Sequence, residues 1–317
     1  MKPTDFWKNF RLVEELSISG TFIYNGLRRY HEMHKLDNDD EIFELLYNLS
    51  VGFERLLKIA VVLHEHNDMT DQEQLEKSLI THNHFVLLNR LKKHTEIKLC
   101  TPQNELLNLL SKFYKSYRYD RFSLESAFDG KKEKKAFLQY LSTYSKVDLT
   151  HESIMGVFND EKAKKFFQRH VLEISRKVYE SIKNRATKIN LYTYELRHGS
   201  KAESVFLRKV KISDEDILWK ELLIFFMNTK ESSSYLDFIR GIEPLGFDPG
   251  LVDEYLDCFR SDSAKSLVIG ELETLYEDLD NVKERYQEVN LIGQPNVCFD
   301  DEESDDDDLE PDECDWE

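Results

Sequence analysis

Between residues 39 and 66 the apolar side chains Ile42, Leu46, Leu49, Phe53, Leu56, Ala60 and Leu63 recur at intervals of 4, 3, 4, 3, 4 and 3. An α-helix turns once every ~3.6 residues, so this alternation lays one apolar seam along a single face, which partner helices have to cover. A strand would put successive side chains on opposite faces and break the seam. Turn formers are scarce: glycine and proline make up 17 of 317 residues, and Pro102 is the one proline between residues 4 and 243. A sandwich or barrel of short strands needs many more. With 40% of its residues apolar, the chain can fill a core and is not globally disordered. The expected class is all-α: a helical bundle (residues 1–129), a second helical domain (130–295) and a disordered acidic tail (296–317).

Asn38 with Glu41 resembles a capping box at the start of that first seam, and Thr70 with Glu73 completes one at the start of the next helical stretch. That stretch runs through Leu75, Leu79, Phe85, Leu88 and Leu91, with a break expected near Thr81-His82-Asn83. Thr101-Pro102 opens a helix with Leu106, Leu110, Phe113 and Tyr117 on its stripe. A helix near residues 22–33 completes a four-helix unit. Asp129-Gly130-Lys131-Lys132 reads as the domain boundary. Beyond it, Phe167, Val171, Ile174, Val178 and Ile182 predict a long helix from Asn159 to near Asn190. Another helix starts at Ser213, and residues 244–250, with two prolines and two glycines, form a turn-rich break. Val268, Leu272, Leu275, Leu279, Val282 and Tyr286 predict one last helix. The longest apolar run, Leu222 to Met227, is too short for a membrane helix and reads as buried core.

The net charge of −18 is unevenly spread. Of 61 acids, 13 fall between residues 300 and 317 with no basic residue among them, leaving −5 for the first 299. The overall acidity therefore does not argue against nucleic-acid binding, which local patches decide. Four dispersed cysteines, Cys100, Cys258, Cys298 and Cys314, suit a reducing compartment better than a disulfide framework or a zinc site. With no signal-peptide pattern at the start, a cytoplasmic location without a membrane partner is expected.

The segment most informative about function runs from Lys112 to Phe122. Lys112, Lys115, Arg118 and Arg121 recur every third position, interleaved with Phe113, Tyr114, Tyr117, Tyr119 and Phe122. Cations grip phosphates and tyrosines stack on unpaired bases, so Lys112, Lys115, Tyr117, Arg118 and Arg121 predict a surface for RNA or single-stranded DNA. On a regular helix neighbouring cations share a face while the whole set winds round the axis. The competing reading puts Phe113, Tyr114 and Tyr117 in the core and pairs the cations with acids. The histidine pairs His64/His66 and His82/His84, two apart, would face opposite ways on a helix, which disfavours shared metal ligation. No phosphate-binding loop, dinucleotide fingerprint, serine elbow or kinase signature occurs. No metal or other cofactor is expected.

The segments Tyr47-Asn48-Leu49-Ser50-Val51-Gly52-Phe53-Glu54-Arg55-Leu56-Leu57-Lys58 and Thr81-His82-Asn83-His84-Phe85-Val86-Leu87-Leu88 resemble a HEPN domain (higher eukaryotes and prokaryotes nucleotide-binding), over roughly residues 20–125. The resemblance implies a compact helical bundle, dimerisation and metal-independent RNA cleavage in prokaryotic defence or regulation. Active members carry an R-x(4–6)-H motif on a late helix. The match here lies on an early one, with Arg28 or Arg29 and His34. By that resemblance the arginine would stabilise the phosphorane charge and His34 would move the proton of the 2′-hydroxyl. The alternative is a non-catalytic helical module that pairs with itself or with a helical partner. A further expectation has the acidic tail, through Trp316, compete with nucleic acid for the cationic stripe.

Overall fold

The computed structural model describes residues 2–120, 122–124, 131–149, 156–191, 194–196, 199–207, 212–259 and 262–294. Arg121, Cys298, Cys314, the Asp129-Gly130 step and the acidic tail lie outside the described residues. The chain is all-α. Its principal helices are α1 (Leu12–Glu32), α2 (Asp39–Glu65), α3 (Gln72–Leu79), α4 (His84–Lys92), α5 (Thr101–Lys112), α6 (Lys132–Ser145), α7 (Glu161–Lys188), α8 (Lys201–Phe206), α9 (Ile212–Asn228), α10 (Ser234–Gly241), α11 (Val252–Cys258), α12 (Asp262–Glu277) and α13 (Val282–Leu291). Among the described residues, extended pairing is limited to one isolated antiparallel bridge, Lys35 to Phe158.

Two compact units divide the chain, residues 1–215 and 216–317. In the first, α2 is the central helix: its whole seam from Ile42 to Leu63 is buried, and α1, α4 and α7 pack around it. The crossing of α1 and α2 is close because two glycines permit it. A methyl group on Gly52 would lie 2.6 Å from Ile23 Cγ1, and one on Gly26 would lie 2.8 Å from Leu49 Cδ2. At the same crossing Ser19 Oγ donates to the Gly52 carbonyl at 2.8 Å.

The boundary expected at 129/130 falls inside this core. Tyr30 of α1 packs on Phe137 of α6 at 5.8 Å and on Phe167 of α7 at 4.6 Å between ring centroids. Asn159, just before α7, donates to the carbonyls of Tyr30 and Met33 at 2.9 and 3.1 Å and so closes the end of α1. Helices beyond residue 130 thus supply the layer that the first four lack, and the unit extends to residue 215.

The starts of α2, α3 and α5 lie close to their expected positions, with altered capping chemistry, whereas α1, expected over about residues 22–33, begins at Leu12, and α12, expected from residue 268, begins at Asp262. Asn38 is the N-cap of α2, but its amide donates to Glu41 Oε2 at 3.1 Å and caps no backbone N–H. Asp71, not Thr70, caps α3, accepting from Gln74 N at 3.1 Å. Helix α5 starts one residue before the proline, at Thr101, with Cys100 as its N-cap.

The second unit differs in kind. Leu222 to Met227 is not a buried core segment, because in α9 the side chains of Leu222, Ile224, Phe225, Phe226 and Met227 are exposed. The single last helix expected from residue 268 is two, α12 and α13, separated at residues 278–281. Polar contacts tie this unit together: Tyr255 Oη donates to Glu271 Oε1 at 2.7 Å, and Arg285 Nη1 donates to the Glu243 carbonyl at 2.7 Å. None of the described helices is long and apolar enough to cross a membrane.

Candidate nucleic-acid interface

The cationic stripe begins in α5 and runs through a single π-helical turn, Phe113–Tyr117, where Arg118 N–H bonds to the Phe113 carbonyl five residues back. Such turns are inserted within α-helices and occur often at functional sites. The wider turn alters the phase assumed for a regular helix. Phe113 points into the core and packs edge-on against Phe43 of α2 at 5.1 Å. Tyr114 and Tyr117 are half-buried, whereas Tyr119 is 56% exposed.

Arg118 is the centre of the arrangement. Its guanidinium carbon lies 3.8 Å from the Tyr114 ring centroid and 4.5 Å from that of Tyr119. Cation–π attraction is strongest where water is excluded, and here Arg118 Nε is buried without a hydrogen-bond partner. Among the described residues neither Arg118, Lys112 nor Lys115 forms an ion pair with a carboxylate, and both lysines are exposed. Burial raises the Tyr114 hydroxyl pKa, and its hydrogen bond with Arg118 offsets part of the rise. The rings continue as a ladder: Tyr114 lies 6.0 Å from Tyr47, which stacks on Phe43 at 6.4 Å.

Next to this ladder is a pair of residues not expected as a site. His82 packs edge-on against Tyr114 at 4.8 Å, and its Nδ1 donates to Glu54 Oε2 at 2.9 Å. Glu54 is buried in α2, and its other oxygen accepts from Lys58 at 2.6 Å. A carboxylate that holds the Nδ1 proton fixes the tautomer and leaves Nε2 as the basic nitrogen. Among the described residues that nitrogen has no partner, and the side chain is 49% exposed. The opposite-faces argument does not apply to His82, which stands in the loop before α4. Asn83 ends that loop as N-cap, accepting from Phe85 N at 3.0 Å.

His84 anchors the same loop from within. It is wholly buried; Nε2 donates to the Ser50 carbonyl at 2.9 Å, and Nδ1 lies 2.9 Å from Ser111 Oγ. Because the carbonyl can only accept, Nδ1 is the acceptor and the serine hydroxyl donates. Burial pushes the His84 pKa down to about 4, so the ring is neutral at pH 7.

The other expected residues are placed elsewhere. Lys112 and Tyr117 line a groove between α5 and α6, with Tyr140 and Tyr144 across from them. Arg28 Nε donates to Glu32 Oε1 at 2.7 Å, and Arg29 Nε to Glu44 Oε2 at 2.7 Å. His34 lies past the end of α1, exposed, with its carbonyl accepting from Asn159 N at 2.9 Å. These contacts engage both arginines with carboxylates of α1 and α2, while His34 belongs to the following turn. Among the described residues no group of His, Cys, Asp and Glu is arranged to hold a metal ion.

The division into two units also redistributes the charge. Residues 1–215 carry 36 Lys and Arg against 31 acids, a net of +5, whereas residues 216–294 carry 7 against 17, a net of −10. Among known protein families, curated proteins and solved structures, no match to this chain was found.

Proposed function

We propose that the first unit binds single-stranded nucleic acid, with RNA preferred, along the Tyr47–Tyr114–Arg118–Tyr119 ladder, as a protein of prokaryotic defence or regulation. One observation carries this reading: the Arg118 guanidinium rests between two tyrosine rings instead of on a carboxylate. A stacked guanidinium keeps N–H donors for phosphate while the rings offer faces to bases. The net charge of +5 on residues 1–215 favours the encounter. Anisotropy of a labelled RNA oligonucleotide at two salt concentrations tests it. Salt-sensitive binding that is lost in Arg118→Ala combined with Lys115→Ala supports the reading. Binding unaltered by both changes overturns it and leaves a helical interaction module.

The Glu54–His82 pair favours a second reading, metal-independent RNA cleavage, in which Nε2 of His82 takes the 2′-hydroxyl proton. Cleavage in the presence of a chelator, lost in His82→Ala and retained in His34→Ala, supports it. Loss in His34→Ala alone returns the chemistry to Arg28, Arg29 and His34.

A further inference from the structure

Within the second unit, a groove of about 580 Å³ opens between the turn that follows α10 and the corner where α12 gives way to α13. Its floor is aliphatic. Ile242 and Leu245 come from the turn, Leu275 and Leu279 from the corner, and all four are half-buried, so solvent still reaches them. Its rim is acidic: Glu243, Asp278, Glu284 and Glu288 are all exposed. Among the described residues none of these carboxylates has an ion-pair or hydrogen-bond partner. The lining also holds Arg285, which leaves them uncompensated: its Nη1 donates to the Glu243 carbonyl at 2.7 Å, and its Nε is buried without a partner. Glu284 and Glu288 stand one turn apart on α13, a spacing at which like charges repel and weaken a helix. The surroundings add to the field, since residues 216–294 carry a net charge of −10.

Carboxylates that converge on one point attract a metal ion, but among the described residues no such group is arranged to hold one. Carboxylates spread around an aliphatic floor match a ligand that carries several cations beside an apolar stripe. We infer that this groove docks a basic amphipathic helix of a partner protein. Leucine-like side chains of that helix meet Ile242, Leu245, Leu275 and Leu279, and its lysines or arginines meet the four carboxylates. A helix sets cations next to its apolar stripe, on the side that enters the groove, whereas a strand points alternate side chains away from it. Docking takes the aliphatic floor out of water and relieves the repulsion between Glu284 and Glu288. The inference does not depend on the nucleic-acid reading, which concerns the first unit.

The test uses the full chain and three labelled peptides, read by fluorescence anisotropy. One is a leucine–lysine helix former with leucines at i, i+3, i+4 and i+7; one has the same composition scrambled so that the stripe is lost; one keeps the stripe with glutamate in place of lysine. The striped basic peptide should bind saturably, about tenfold tighter than the scrambled one, and the acidic one should not bind. Glu284→Gln combined with Glu288→Gln should weaken that binding about tenfold. Asp253→Asn combined with Glu254→Gln removes the same charge on α11, outside the groove, and should weaken it less than about threefold. All four positions are exposed, so both double variants should keep the helical circular dichroism of the parent. Equal binding of the striped and scrambled peptides, or equal losses in the two double variants, would reduce the groove to general electrostatic attraction and overturn the proposal. Displacement of the peptide by spermidine at comparable concentration overturns it in favour of a small polyamine. Absence of peptide binding also overturns it, and self-association lost in Glu284→Gln with Glu288→Gln would then assign the groove to a second copy of the chain.

Discussion

The two units draw on the same sequence device and arrive at different results. In residues 1–215 the seams of α2 and α7 are covered from several sides, and Phe53, Phe167, Val171 and Ile174 reach complete burial. In residues 216–294 the stripe Val268, Leu272, Leu275, Leu279 and Val282 is only half-buried, and none of that unit's described residues is fully enclosed. Periodicity states which face of a helix seeks cover. Cover itself requires further layers, which α6 and α7 bring to the first unit. The difference extends to charge, +5 against −10.

The largest expected effect sharpens that contrast. Phe167→Ala empties a site between Tyr30 and Phe137 and should cost the first unit about 3–5 kcal/mol. Leu272→Ala, at a half-open position, should cost about 1 kcal/mol. Urea unfolding followed separately for each unit measures both, and equal losses would remove the contrast.

Next in size is a pH effect confined to the first unit. The folded pKa of His84 is depressed, so the unfolded state binds the proton more readily between pH 6.5 and 4. The stabilising contribution is complete above about 6.5 and is lost as pH falls towards 4, amounting to about 3 kcal/mol. Urea midpoints at pH 7 and pH 4.5 should move accordingly. In His84→Gln the fall should be shallower, and an unchanged fall would assign it to other groups.

Smaller again is the change in binding. Tyr119→Ala removes one exposed ring from the ladder and should weaken RNA binding by about 1–3 kcal/mol, as for one stacked base. The smallest is electrostatic: Lys115→Gln should lower the slope of log affinity against log salt by about 0.7, one phosphate contact on a single strand. A slope unchanged by Lys115→Gln would mean that Lys115 faces no backbone.

Much of the fold was legible in the sequence because the signals are local. The α2 seam, the break before α4 and the long α7 each rest on residues near one another in the chain. The misread features depend on what lies across space. The run Leu222 to Met227 signals a demand for burial and says nothing about whether a neighbour meets it. The break between α12 and α13 interrupts an apolar stripe that continues in phase, so periodicity passed over it. For the interface, the basic and aromatic composition of residues 112–122 was legible, whereas the π turn that sorts them is a hydrogen-bond register with no residue signature. Glu54 and His82 are 28 positions apart, and the spacing rule for helices discounted His82 by assuming it lay on one.

The α1–α2 crossing has a consequence for chemistry at the surface. Gly52 is two residues from Glu54, and its missing methyl group lets Ile23 approach. Residues two apart on a helix face opposite ways, so α1 meets α2 on the side away from the Glu54 carboxylate, and the interior crossing and the surface pair can be altered separately. Gly52→Ala should lever α1 outward and weaken the first unit while leaving the Glu54–His82 hydrogen bond in place, so that one hidden hydrogen exchanged for a carbon changes how firmly the scaffold holds and not the nitrogen that faces water.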